Sequence, residues 1–240
     1  MSGGSEKYGS SKENAKRIMG TIYILMGKSA TGKDTIYQRL IEDASLGLKK
    51  MIGYTTRPIR NGEEDGREYH FVDMAGRKAL RESGKIIEER VYHTVYGDWY
   101  YFTADDGQAD ADDSDCLLIA TLEAYQNIRR YYGEERVVPL YIEVEDGERL
   151  LRAIEREKRS GSPKYAEMCR RFLADAADFS EEKLKEAGIE KRYENRTMED
   201  CLSVLRQEIA ERSRRNRESK PGKASARNPV GTVPRNGAGI

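Results

Sequence analysis

The stretch ILMGKSATGKDTI, residues 24–36, decides the fold. An apolar run, TIYILM (21–26), enters it, and Gly27, Gly32 and Lys33 follow before a segment with Ile36, Leu40 and Ile41 at helical spacing. A strand that passes through a Gly-rich turn into a helix converges several backbone N–H groups at the positive end of that helix. Lys33, directly after the second Gly, adds a mobile positive charge for the outer phosphates of a nucleotide. One position departs from the pattern: Asp34 stands where Ser or Thr is the rule.

Working outward, short apolar runs alternate with charged segments of helical period. CLLIATL (116–122) and VVPLYIEV (137–144) read as further strands, while 34–43, 147–159, 167–178 and 197–212 read as helices. The last carries Met198, Leu202, Leu205 and Ile209 on one side. Such β-α alternation predicts an α/β fold with a parallel sheet covered by helices. Residues 53–103 differ, with turn chemistry in TTRPIRNGEEDG followed by aromatic and β-branched runs. They predict a small antiparallel insertion. Within it Arg57 and Arg60 flank Pro58, and guanidinium forks suit bidentate capture of a phosphate.

The 240 residues are enough for one sizeable core. Lys plus Arg, 42 in all, equal Asp plus Glu, so no net charge draws the chain to nucleic acid or acidic lipid. From Ser213 on there are seven basic residues and one acid. Residues 1–19 and 213–240 are poor in large apolar side chains and read as disordered tails around a domain at 20–212. Cys116, Cys169 and Cys201 are scattered and, with two His, lack metal-ligand spacing, which fits a reducing, cytoplasmic setting. No run of about 18 apolar residues is present to span a bilayer, so no membrane partner is expected.

The phosphate loop and the segment YTTRPIRNGEEDGREYHFV (54–72), in this order, resemble the guanylate kinase family. The family loop GPSGxGKST is matched at Gly27, Ser29, Gly32, Lys33 and Thr35. The segment TTRxPRxGExxGxxYxF is matched at Thr55, Thr56, Arg57, Arg60, Gly62, Glu63, Gly66, Tyr69 and Phe71. The resemblance extends over about residues 20–212 and implies a P-loop kinase fold with a monophosphate-binding insertion (53–103) and a helical lid (152–178). It implies phosphoryl transfer from ATP, with Mg2+, to GMP. ATP would be held by Gly27, Lys28, Ser29, Ala30, Thr31, Gly32, Lys33, Asp34, Thr35 and, on the adenine side, Asn195. The acceptor would be held by Arg57, Arg60 and Tyr69, with Glu88 or Glu89 accepting from guanine. Lys33, Arg57, Arg156 and Arg171 would carry catalysis, with Arg159 and Arg170 as alternatives for the lid pair.

Three departures from the family stand out. Asp34 replaces the hydroxyl that helps hold magnesium, and the acidic strand end DIDxQG falls on Ile119 to Ala124 without either Asp. We therefore expect the metal carboxylate at Asp34. Gly53 stands in place of a guanine-contacting Ser, which puts base specificity in question. A sugar-phosphate acceptor and a non-catalytic interaction module are the competing readings, and the oligomeric state is not legible.

Overall fold

The computed structural model describes residues 20–94, 97–110 and 113–218. The tail expected at 1–19, and residues 219–240 of the other, lie outside these described residues. In chain order the first half runs β1 (Ile22–Met26), α1 (Lys33–Ile41), β2 (Lys49–Lys50), β3 (Tyr54–Thr55), β4 (His70–Phe71), α2 (Met74–Glu82), β5 (Ile86–Thr94) and β6 (Gly97–Ala104). The second half runs β7 (Cys116–Ile119), α3 (Leu122–Tyr132), β8 (Val137–Glu143), α4 (Asp146–Arg159), α5 (Tyr165–Asp178), α6 (Glu181–Glu186), β9 (Arg192–Glu194) and α7 (Met198–Glu218).

Five strands form a parallel sheet in the order β2-β7-β1-β8-β9. Its central strand, β1, is fully buried because both faces are covered, which is why its sequence is continuously apolar rather than alternating. Ile22, Ile24 and Met26 pack on the side of α3 and α6, against Tyr125, Ile128 and Leu184. Tyr23 and Leu25 pack on the side of α1 and α7, against Ile36, Leu40, Leu202, Leu205 and Ile209. The chain lays β2 and β7 on one side of β1 and β8 on the other, so the order reverses at β1. Open α/β sheets bind ligands at the carboxyl ends of strands at such a reversal.

A second sheet, β4-β3-β6-β5, is built from residues 54–104. It is not wholly antiparallel: β3 pairs with β6 and β6 with β5 in antiparallel fashion, but β3 and β4 run parallel. The loop between these two short strands is long enough to return the chain to the same end before it pairs.

Two boundaries differ from the sequence reading. The strand in CLLIATL stops at Ile119, because Thr121 caps α3 by accepting from the Ala124 N–H at 3.3 Å and Leu122 already belongs to that helix. The basic tail does not begin at 213, since α7 continues to Glu218. Ser213 is buried there and donates to Asp115, Asn216 donates to Thr21 Oγ1 at 2.9 Å, and Arg212 reaches the Glu135 carbonyl at 2.8 Å. These polar links to the start of β1 and the approach to β7 replace the apolar contacts whose absence had suggested a tail.

Candidate active site

The phosphate loop leaves the carboxyl end of β1. A Cβ on Gly27 would lie 2.7 Å from the Ile142 carbonyl oxygen, so only Gly fits between β1 and β8. Gly32 opens α1 in the left-handed conformation, φ 82, and a Cβ there would meet Asn195 Nδ2 at 2.8 Å. Ala30 is also left-handed, φ 64, without being glycine. That strain is held from outside the loop. Asn195 is buried and donates from Nδ2 to the Thr31 carbonyl at 2.8 Å, so its contact in the structure is with the loop backbone. Thr31 Oγ1 donates to the Lys28 carbonyl at 2.9 Å.

A second brace comes from α4 and α5. Arg149 of α4, 1% exposed, donates to the Ser29 carbonyl at 2.9 Å and to Asp146 at 2.8 and 3.0 Å, with its guanidinium over the Phe172 ring. Asp175 of α5 accepts the Ser29 N–H at 2.7 Å and lies 3.6 Å from Arg149. Burial opposes the charge of Asp146, yet the Arg149 and Lys28 cations hold its carboxyl below the usual carboxylate range. Lys28 is thereby turned toward Asp146, at 3.4 Å.

Lys33 and Asp34 begin α1, with Nζ and Oδ1 4.0 Å apart and the Asp34 side chain 82% exposed. Thr35 is likewise exposed. No cluster of three or more His, Cys, Asp or Glu suited to a metal occurs among the described residues. Magnesium draws most of its oxygens from phosphates and water with one or two carboxylates, so a single exposed carboxylate in the first turn, where the helix dipole favours it, suits that donor set.

The second sheet carries the expected acceptor residues. Arg57 is 4% exposed, pairs with Glu63 through two bonds of 2.7 Å, and lies over the rings of Tyr69 and Phe71 at 5.4 and 5.2 Å. Arg57 holds the Glu63 carboxyl down at about 2, and its own Nε is buried with no hydrogen-bond partner among the described residues. Burial pushes the Tyr69 hydroxyl up, with Arg57 and Arg90 acting against it. Arg60 is exposed, its backbone N–H donates to Glu63 at 2.9 Å, and its cation also favours the Glu63 carboxylate.

Glu88 and Glu89 are neighbours on β5 and so point to opposite faces. Glu89 is taken by the far side: it accepts Arg77 at 2.5 and 2.7 Å and also Arg81, and although burial opposes its charge these cations keep its pKa low. Glu88 is buried on the other face, where it accepts from Thr103 Oγ1 at 2.7 Å and Arg90 Nε at 3.2 Å. Arg90 Nη1 donates to Thr121 at 3.0 Å, which ties the small sheet to the carboxyl edge of the main one.

Of the arginines expected on the lid, Arg156 is exposed without an ion pair among the described residues. Arg171 is loosely held, 3.9 Å from Glu157 and 3.7 Å from Glu167. Arg159 and Arg170 pair with Glu155 and Glu167 on their own helices. None of these four bonds the phosphate loop; Arg149 and Asp175, which do, were not read from sequence. A cavity of 830 Å³ opens beside the loop at the ends of β8 and β9, lined among others by Lys28, Thr31, Glu143, Arg152, Asn195 and Arg196. Its size is that of a nucleotide-sized site.

The sequence model of the family described as Guanylate kinase matches residues 19–208. The chain belongs to the guanylate kinase family. It is 28% identical over 196 residues to a guanylate kinase of Porphyromonas gingivalis, a match covering 80% of this chain and 98% of that protein. It is 39% identical over 118 residues to a guanylate kinase of Aromatoleum aromaticum, covering 48% of this chain and 55% of that protein. The crystal structure of guanylate kinase from Anaplasma phagocytophilum superposes with a TM-score of 0.52 at 22% identity, over 84% of this chain and 95% of that one, and shows the shared fold. No helix among the described residues is long and apolar enough to cross a membrane.

Proposed function

We propose that this guanylate kinase family member transfers the terminal phosphoryl group of ATP to GMP, giving ADP and GDP. The observation that carries the reading is the Arg90–Thr121 link, which holds the sheet bearing Arg57, Tyr69 and Glu88 against the carboxyl end of β7, the strand paired with β1, from which the phosphate loop departs. In this reading the two phosphate-binding elements face each other across one crevice. Phosphoryl transfer asks for alignment of donor and acceptor, neutralised charge on the transferring group and exclusion of water.

In this reading the loop amides and Lys33 hold the donor phosphates. Arg57 and Tyr69 receive the acceptor phosphate, Arg57 being oriented by Glu63 and Arg60 reaching in from solvent. Glu88, rather than Glu89, accepts from the guanine edge, because Glu89 is already neutralised by Arg77 and Arg81. Arg156 and Arg171, lightly held in the structure, are the cations free to swing onto the transferring group when the lid closes. Magnesium supplies charge neutralisation on the phosphates when it binds with ATP, and Asp34 is the side chain that would hold it.

The test is ADP release from ATP and magnesium with GMP, dGMP, AMP, UMP, CMP and ribose 5-phosphate as separate acceptors. GMP and dGMP turnover is expected, with Lys33→Met reducing it at least about a hundredfold. Turnover confined to ribose phosphate, or unchanged in Lys33→Met, overturns the reading.

A further inference from the structure

Arg90 has no place in the family motifs that the sequence matches, yet it bridges Glu88 of the expected acceptor sheet and Thr121 at the edge of the main sheet. It lies two residues beyond Glu88 on β5, so both side chains leave the same face of the sheet. Its Nε is 3.2 Å from Glu88 Oε2 and its Nη1 is 3.0 Å from Thr121 Oγ1, while Nη2 makes no hydrogen bond among the described residues. The Glu88 side chain is 1% exposed and that of Arg90 is 21% exposed. Arg90 is therefore the solvent-side cover of Glu88, and an incoming base meets its guanidinium first.

We propose that Arg90 is a specificity-determining residue which, together with Glu88, reads an N–H donor adjacent to a keto oxygen on the acceptor base. This inference rests on the kinase reading above and adds to it the group that replaces the missing serine. Gly53, at the position of a base-contacting hydroxyl in the family, offers no side chain. A carboxylate has roughly four lone-pair sites, and Thr103 and Arg90 use one on each oxygen, leaving acceptors for the base. The guanidinium supplies the complementary donor, as arginine does for the keto edge of guanine elsewhere.

Acceptor and donor side by side match guanine, whose N1–H adjoins O6. Adenine presents the reverse order, an acceptor at N1 beside an amino donor at C6, so its amine meets a cation and its lone pair a carboxylate. Both mismatches leave buried polar groups without partners, which is the strong form of discrimination. Thr121 completes the arrangement. An Asp there, as in the family strand end, would draw Arg90 into an ion pair and away from the base.

The test compares the wild type with Arg90→Met and Thr121→Val on GMP, 6-thioguanosine monophosphate and AMP, with thermal melts on each protein. The thio analogue keeps N1–H and the amine but replaces O6 with a weak acceptor. Arg90→Met is expected to lower kcat/KM for GMP roughly thirtyfold, the loss of one charge-assisted bond, and that for the thio analogue by less than about threefold. The GMP to AMP preference should narrow with it. Thr121→Val keeps the arginine but frees it, so the same selective loss at smaller size is expected, and it carries the test if Arg90→Met does not fold. Equal losses on GMP and its thio analogue, or none, overturn the role of Arg90 while leaving the kinase reading intact. No wild-type turnover of GMP overturns the kinase reading itself, and the inference with it.

Discussion

Replacing Arg149 with Met separates what holds the phosphate loop from what binds the nucleotide. The substitution keeps most of the side-chain volume and the packing on Phe172, but removes every charged bond. Lost are the 2.9 Å bond to the Ser29 carbonyl, two bonds to Asp146 and the 3.6 Å pairing with Asp175. Asp146 is about half exposed, 51%, so water recovers much of its share. Asp175 is 17% exposed and stays as a poorly solvated charge. One bond from a charged donor to a carbonyl, about 2 kcal/mol, plus a partly buried carboxylate that keeps the Ser29 N–H but loses its cation, about 1 kcal/mol, gives a loss of about 3 kcal/mol. In a chain of this size that is a fall in Tm of about 9 °C. Urea denaturation at neutral pH measures it directly, with the midpoint lowered and the slope unchanged. The apparent KM for ATP should rise, because the backbone that Ser29 presents is no longer fixed. Asp175→Asn in the same background should recover about 1 kcal/mol by removing the charge left without a cation. A loss below about 1 kcal/mol for Arg149→Met, or no recovery in the double variant, refutes the reasoning.

Three further outcomes follow from other contacts. Glu63 titrates at about 2 when folded against 4.5 ordinarily, so its stabilising share is whole above pH 4.5 and is lost as pH falls toward 2. Urea curves from pH 6 downward should show wild type and Glu63→Gln converging in that window, and parallel curves would refute it. Glu89→Gln should cost about 1–2 kcal/mol of stability by weakening the Arg77 and Arg81 pairs, while the KM for the acceptor stays within about twofold; a larger KM change would mean that Glu89 faces the base. Asp34→Ser should raise the magnesium concentration needed for half-maximal turnover, and a titration identical to the parent would make Asp34 a mere helix-start residue.

The parallel sheet was legible because β1, β7 and β8 are buried on both faces and therefore spell unbroken apolar runs. Helix α3 escaped notice although Leu122, Tyr125 and Ile128 have its spacing, because Leu122 also completes an apparent strand. Helix α2 has no buried residue and so no apolar stripe to read. The two-residue β2 lies at the sheet edge as Lys49–Lys50 and carries no strand signature at all. Within the site, the loop and the Arg57 segment were visible because their backbone demands fix residue types locally. Arg90 had a usable signal, the two-residue spacing from Glu88 on a strand. Asp175 had none, since its partner Ser29 is 146 positions away and the bond is to a backbone amide.

The stitching of α7 to the start of β1 has a consequence for how the chain can be handled. Asn216 and Ser213 reach Thr21 and Asp115 beneath the amino end of the sheet, while the phosphate loop departs from the opposite end of β1. Five residues of strand separate the two, about 16 Å. A tether or fusion attached before Gly20 or after Glu218 therefore leaves from the floor of the sheet, not from the mouth of the crevice. Residues 20 and 218 could likewise be joined by a short linker and the chain reopened at the exposed Gly161 turn between α4 and α5. Such a circular permutant would keep the sheet and the phosphate loop while cutting the covalent link between α4 and α5, leaving the Arg149 and Asp175 contacts to hold the two helices to the loop.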